Sequence, residues 1–458
     1  MTPQSSTRRR WTVLAICALA LFLVGLDTTI VTVGLSEIGR GLGAEAGRLS
    51  WVVDAYTITF ASLLISAGAV ADRFGRRRVF QTGLVVFALA SLACALAPSL
   101  SFLIIARIAQ GVGASMLTPV ALAIVVSAMP DPRERAQAIG VWGAMFGLSM
   151  AAGPVTGGAL IAAFDWRAVF WINVPVVLVA IALVRALVPE SHGQRARRLD
   201  LTGQALLIVL LWIAVGLLIE GRRIGWLSPL ALAGYGLLVV LVAVFVRVEA
   251  RRADPLIEPG LFRVPSFAGA ILSAVAVFVA FSMTLLMTTL LLDVSGWSPV
   301  AAGAATLPMA LGATLCAPLS GYLVGRYGPR LPLLLAGGCL VTGGLLLLTL
   351  ASGLTLAVLL AAYLFIGIGV GFANAPITNT AVSGLPPERA GVAGGTASTA
   401  RQLGIAIGVA LAGGLVAGAD RADFPAEATP GWLVITACGT ILLATGFRAG
   451  QRTVPAPV

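Results

Sequence analysis

The chain has 458 residues, of which 59% are hydrophobic and 11% charged, and its mean hydropathy is +0.99. A water-soluble domain of that size could carry such a balance only by exposing large apolar patches, so the composition points instead to a polytopic membrane protein. The net charge of +11 comes from 30 arginines with no lysine, spread between apolar segments rather than gathered in a patch, which argues against a nucleic-acid partner.

A hydrocarbon core about 30 Å thick needs roughly 20 apolar residues per helix. Lipid forces backbone polar groups to pair within their own segment, and the alternation a barrel would need is absent, so the predicted fold is all-α. Apolar windows bounded by charges, Gly or Pro predict fourteen spans, at 11–34, 51–71, 79–98, 101–128, 137–160, 168–188, 201–219, 228–247, 266–291, 299–324, 331–351, 356–383, 393–418 and 431–447. The first follows MTPQSSTRRRW. Its apolar run continues to Leu35 with no A-x-A-like cleavage site after it, so it reads as a retained span. Fourteen spans put both termini on one side. With that side taken as inside, twenty-two arginines fall in inner segments and six in outer ones, leaving Arg107 and Arg401 within spans. The positive-inside rule then predicts a multi-pass protein of the cell inner (plasma) membrane with both termini cytoplasmic.

Between the second and third windows, Gly68 to Arg78 reads GAVADRFGRRR, an acid, a turn and four arginines in a very short inner loop. Its pattern Gly68-x3-Asp72-Arg73-x-Gly75 returns 253 positions on as Gly321-x3-Gly325-Arg326-x-Gly328. Both copies follow an even-numbered span. Two repeated six-helix bundles, 1–190 and 263–458, are therefore expected, with two additional helices and their loops in 191–262.

Within the first bundle, Asp27, Asp54 and Arg107 lie in spans or at their mouths. A charge at a helix centre costs roughly 2.5–3.5 kcal/mol, so each needs a reason. At 1.5 Å per residue all three fall in the outer half of the bundle, although spacing does not say whether they face one another. Burial and a neighbouring guanidinium act on a carboxyl in opposite directions, which can poise it for proton exchange. Asp27 is the first choice for proton carrier, and a purely structural bridge to Arg107 is the alternative. Asp54 reads either as a coupling acid or as an interfacial residue beside Trp51, and Arg401 as cavity lining or structure. For substrate contacts, aromatic walls with few polar handles suggest Trp142, Phe146, Trp171, Phe372, Asn374 and Asn379, with Arg401. The five cysteines sit singly in apolar runs and the one histidine, His192, in a polar loop. No metal site, cofactor or catalytic cluster is expected, hence no enzyme.

Several motifs are similar to the major facilitator superfamily, specifically its fourteen-helix drug:proton antiporter branch. They are the Gly68–Arg78 loop, LDTTIVTVGL with Asp27, ARIAQGVGAS with Arg107, Gln110, Gly111 and Gly113, and MAAGPVTGG with Gly153, Pro154, Gly157 and Gly158. WRAVFWINVP and RQLGIAIGVA resemble further signatures of that branch. Ser149 stands where glycine is frequent, and Gly325 where an acid would repeat Asp72. The resemblance implies a monomeric, proton-coupled exporter of amphipathic, cationic drugs or antibiotics, working by alternating access in the lipid bilayer. It assigns gating to Gly68, Asp72, Arg73, Gly75 and Arg76, and to Gly153 and Pro154 as a flexible seal, with Asp72 facing the thirteenth span beyond Pro387–Gly391. Export of one endogenous metabolite or antibiotic, or lipid flipping, is the alternative.

Overall fold

The structure, a computed structural model, describes residues 7–44, 46–129, 131–192, 200–252, 254–382, 387–416 and 427–449; many side chains in 132–151 and those of 387–392 lie outside the description. No strand occurs among the described residues. The chain runs through α1 (Thr7–Leu42), α2 (Ala46–Phe74), α3 (Arg76–Ala95), α4 (Leu100–Ala128), α5 (Pro132–Ala163), α6 (Ala168–Trp171) and α7 (Asn173–Leu187). It continues through α8 (Leu201–Ile224), α9 (Pro229–Glu249), α10 (Pro265–Val294), α11 (Pro299–Ala305), α12 (Leu307–Tyr327), α13 (Arg330–Thr349), α14 (Leu356–Val382), α15 (Pro387–Val416) and α16 (Thr429–Ala449).

With α6–α7 and α11–α12 each taken as one broken rod, these make fourteen helical segments, of which twelve are long and apolar enough to cross a membrane among the described residues. The other two, α5 and α15, have 32 and 30 residues. Helices outrun their apolar windows: α1, with 36 residues, is about 54 Å long, so its arginine-rich start and the Glu37–Arg40 end extend past the hydrocarbon. Prolines at 119, 154, 318 and 376 lie inside helices, where each removes one backbone donor that neighbouring segments must tolerate.

Two compact units emerge. The first comprises Met1–Ala214, Tyr235–Leu256 and Ser298–Ala304, and the second Val215–Gly234, Ile257–Trp297 and Ala305–Val458. Each is built by the same pairings. In the first, α1 packs on α5, α2 on α4, and α3 on α4 and α7; in the second, α10 packs on α15, α12 on α14, and α13 on α14 and α16.

Glycines set the register of both. A Cβ on Gly111 would lie 2.7 Å from the Tyr56 carbonyl of α2, and one on Gly113 2.6 Å from the Phe87 amide of α3. In the second unit, 256 positions on, Gly367 meets the Met309 carbonyl of α12 and Gly369 the Ala336 carbonyl of α13. Small residues let backbones approach where lipid supplies no hydrophobic drive between helices.

Candidate functional site

The first unit gathers its polar side chains around Asp27. That residue is fully buried, and Arg107, also fully buried, brings Nη1 to 2.5 Å from its Oδ2. Its Oδ1 accepts from Gln110 Nε2 at 2.8 Å and Asn173 Nδ2 at 2.9 Å. The guanidinium is itself held: Nε donates to the Val52 carbonyl at 2.8 Å, Nη1 to Gln110 Oε1 at 2.7 Å, and its carbon stands 4.1 Å from the Tyr56 ring centroid. Gln110 also donates to Ser91 Oγ at 2.9 Å. Five elements, α1, α2, α3, α4 and α7, thus converge on one ion pair.

Three donors, one of them charged, thus replace the water that the carboxyl group lost on burial. Asp54 has the opposite surroundings. It is equally buried in α2, yet neither carboxyl oxygen has a hydrogen-bond partner among the described residues. Burying an ionised carboxylate so is far more costly than burying the neutral acid. The structure therefore joins Asp27 to Arg107 and leaves Asp54 out of their network.

At the arginine-rich end, the loop predicted from Gly68–Arg78 shrinks to one residue. Gly75, with φ +105°, separates α2 from α3, while Gly328, with φ +76°, and Pro329 separate α12 from α13. Asp72 Oδ1 accepts from Arg76 Nε at 2.9 Å and lies 2.8 Å from Nη2. Arg73 turns to the Phe74 ring, and Gly68 sits at the edge of contact with Pro119. Sequence reasoning missed Glu190, whose Oε1 accepts the Arg77 amide at 2.9 Å and whose Oε2 lies 3.9 and 3.8 Å from Arg77 and Arg78. In the second unit, where glycine replaces the acid, Arg326 donates to the Tyr322 hydroxyl at 2.7 Å instead.

The Gly-Pro motif of α5 makes backbone contacts. A Cβ on Gly153 would meet Thr29 Cβ at 2.9 Å and the Ile30 amide at 3.0 Å, and one on Gly157 would meet Ile30 Cγ1 at 2.8 Å. Gly158 faces the Pro299 carbonyl and Gly303 the Pro154 carbonyl, so the short α11 segment of the first unit lies against α5.

Substrate candidates scatter. Trp142 and Phe146 have side chains outside the described residues. Trp171 is exposed while Phe372 is buried. Asn374 is half-buried and donates to the Val370 carbonyl at 3.4 Å, and Asn379 is exposed. Arg401 donates through Nη2 to Thr378 Oγ1 of α14. No signal in spacing would have shown that contact.

Two more acids, unassigned in the sequence, are buried at the ends of the inserted helices. Asp200 caps α8 by accepting the Gly203 amide at 2.8 Å, and the Glu249 carboxylate lies over Gly203. Gln204, a polar residue in an apolar run and so visible in principle, ties α8 to α2 through the Ser62 carbonyl at 2.8 Å and through Ser66 Oγ. Trp51 stacks on Trp212 of the same helix, with centroids 5.7 Å apart.

A family model described as Major Facilitator Superfamily matches residues 17–409. "Multidrug resistance protein Stp" of Mycobacterium tuberculosis (strain CDC 1551 / Oshkosh) is 40% identical over 400 residues, 87% of this chain and 74% of that protein. "Puromycin resistance protein pur8" of Streptomyces alboniger is 38% identical over 92% of this chain and 84% of its own. "Multidrug efflux pump LfrA" of Mycolicibacterium smegmatis is 31% identical over 93% and 86%. Among solved structures, a bacterial homologue of the human lysosomal transporter Spinster aligns with a TM-score of 0.69 at 18% identity, over 99% of this chain and 100% of that one, a likeness of fold.

Proposed function

We propose that this chain, which belongs to the major facilitator superfamily, is a proton-driven antiporter of its fourteen-helix branch that exports amphipathic, cationic drugs or antibiotics from the cytoplasm. Relatives named for multidrug resistance and efflux support the substrate class. The arginine distribution supports cytoplasmic termini in the plasma membrane.

The observation that carries the coupling is the contrast between two buried carboxyls in one unit. Asp27 is fixed as the counter-ion of Arg107, whereas Asp54 has no partner for either oxygen among the described residues. Asp54 is thus the exchange site: it holds a proton when empty of substrate and releases it when a cation arrives, one positive charge replacing another. The Asp27–Arg107 frame keeps the surroundings rigid and dry. Inward proton movement supplies about 2.3 kcal/mol per charge per 100 mV, and the Asp72–Arg76 pair latches the arginine-rich end during switching.

Proteoliposomes under an imposed pH gradient test this with ethidium. Wild-type transport should collapse with an uncoupler, and Asp54→Asn should abolish the gradient-driven component while a neutral substrate still equilibrates. Full gradient-driven export by Asp54→Asn would return the role to Asp27. A narrower reading, export of one antibiotic, draws on relatives named for single compounds, such as "Tetracenomycin C resistance and export protein" of Streptomyces glaucescens. It predicts that only one chemical class in a drug panel is moved.

A further inference from the structure

Arg401 stands near the middle of α15, where a cation needs compensation. It makes no ion pair among the described residues, and its single hydrogen bond goes to a neutral hydroxyl, Thr378 Oγ1. That hydroxyl is already spent, donating to the Asn374 carbonyl at 3.0 Å, so Thr378 can only accept and serves to aim the guanidinium. Arg401 Nε is buried without a partner among the described residues. What this corner lacks, among the described residues, is an acceptor placed for that Nε.

Access is open. Arg401 is half-buried, and Thr378 and Asn379 on the facing helix are exposed. A guanidinium offers a rigid fork of donors, and an orphaned Nε beside an Nη matches the two oxygens of a carboxylate or the edge of a phosphate. Asp54 and Asp27, the acids of the proposed proton chemistry, belong to the other unit.

We propose that Arg401, aimed by Thr378, is a subsite for an oxyanion on the transported molecule, a carboxylate or phosphate group. Among the amphipathic cations of the proposed function, it favours those that also carry an oxyanion, that is, zwitterions. The assignment of that oxyanion to a transported molecule rests on the exporter reading; an anionic lipid headgroup presents the same chemistry and is the other source.

The dyes rhodamine 110 and rhodamine 123 separate these, because they share one ring cation and differ by a free carboxylate against its methyl ester. Binding is measured by fluorescence anisotropy on the full chain in phosphatidylcholine nanodiscs. Arg401→Gln should weaken rhodamine 110 about tenfold or more, the loss of a charge-assisted pair, and leave rhodamine 123 within about twofold. Arg401→Lys keeps the charge without the fork and should show a smaller loss confined to rhodamine 110, which also covers the case in which the glutamine variant does not fold. Added phosphatidylglycerol should leave rhodamine 110 binding unchanged. Equal loss of both dyes, or loss of neither, overturns the subsite. Displacement of rhodamine 110 by phosphatidylglycerol assigns the oxyanion to lipid and overturns it as a substrate contact. Failure of wild-type proteoliposomes to move either dye under a pH gradient would instead count against the exporter reading, leaving the binding comparison intact.

Discussion

At Asp27 and Arg107 two charges share one fully buried contact, so removing either leaves the other without compensation. A buried ion broken in this way typically loses about 3–5 kcal/mol, whereas removing both partners is far milder. Asp27→Asn should therefore lower the thermal unfolding midpoint in detergent markedly, and Asp27→Asn combined with Arg107→Gln should recover most of it. Purely additive losses in the double variant would show that the two side chains do not act as a pair. Asp54→Asn should leave the midpoint unchanged or raise it, because among the described residues that carboxyl has no hydrogen bond to lose. This difference explains why depth along a helix was an incomplete guide. Residue number placed Asp27, Asp54 and Arg107 at similar levels, but only the rotation of α1, α2 and α4 about their axes decides which of them meet. That rotation depends on Gly111 against Tyr56 and Gly153 against Thr29, contacts between segments far apart in sequence.

Helices, as elements, were the legible part of this chain. Fourteen apolar windows correspond to the fourteen helical segments, whereas the matching α1–α5 and α10–α15 pairings come from contacts that the motif repeat at two loops does not specify. The breaks at Ile172 and Thr306 were not legible, since the apolar composition runs through them. Nor were the buried Asp200 and Glu249, because each lies at the border of an apolar run, where solvent exposure is the ordinary expectation. The helix-five motif shows what its small residues do: they bring α5 against α1 backbone to backbone. Gly153→Ala would push a methyl group onto Thr29 and the Ile30 amide, and overpacking of this kind costs about 1–3 kcal/mol. Gly236 of α9 has open space around it, so Gly236→Ala is the matched control. The first variant should lose thermal stability and transport, with the second indistinguishable from wild type. Equal behaviour of the two would mean that α1 and α5 are not held by this contact.

Across the whole molecule, the two units share a helix plan and differ in charge. Every charged side chain that is buried among the described residues, Asp27, Asp54, Arg107, Asp200 and Glu249, belongs to the first unit. The position that Arg107 takes in α4 is held in α14, 256 residues on, by Tyr363, and its partner across α10 is Thr288, with the two hydroxyls 2.6 Å apart. A neutral pair thus replaces the ion pair at the equivalent layer. If the units divide the work, proton exchange resides in the first and recognition of the substrate's polar group, through Arg401, in the second. Tyr363→Phe tests that division directly. It removes a neutral hydrogen bond worth about 1 kcal/mol, while Thr288 Oγ1 keeps its bond to the Thr284 carbonyl at 2.5 Å, so the unit should stay folded. The number of protons exchanged per substrate, read from the pH gradient that just halts transport in proteoliposomes, should equal that of wild type even if the rate changes. A different number would place a titrating group in the second unit and dissolve the proposed separation of roles.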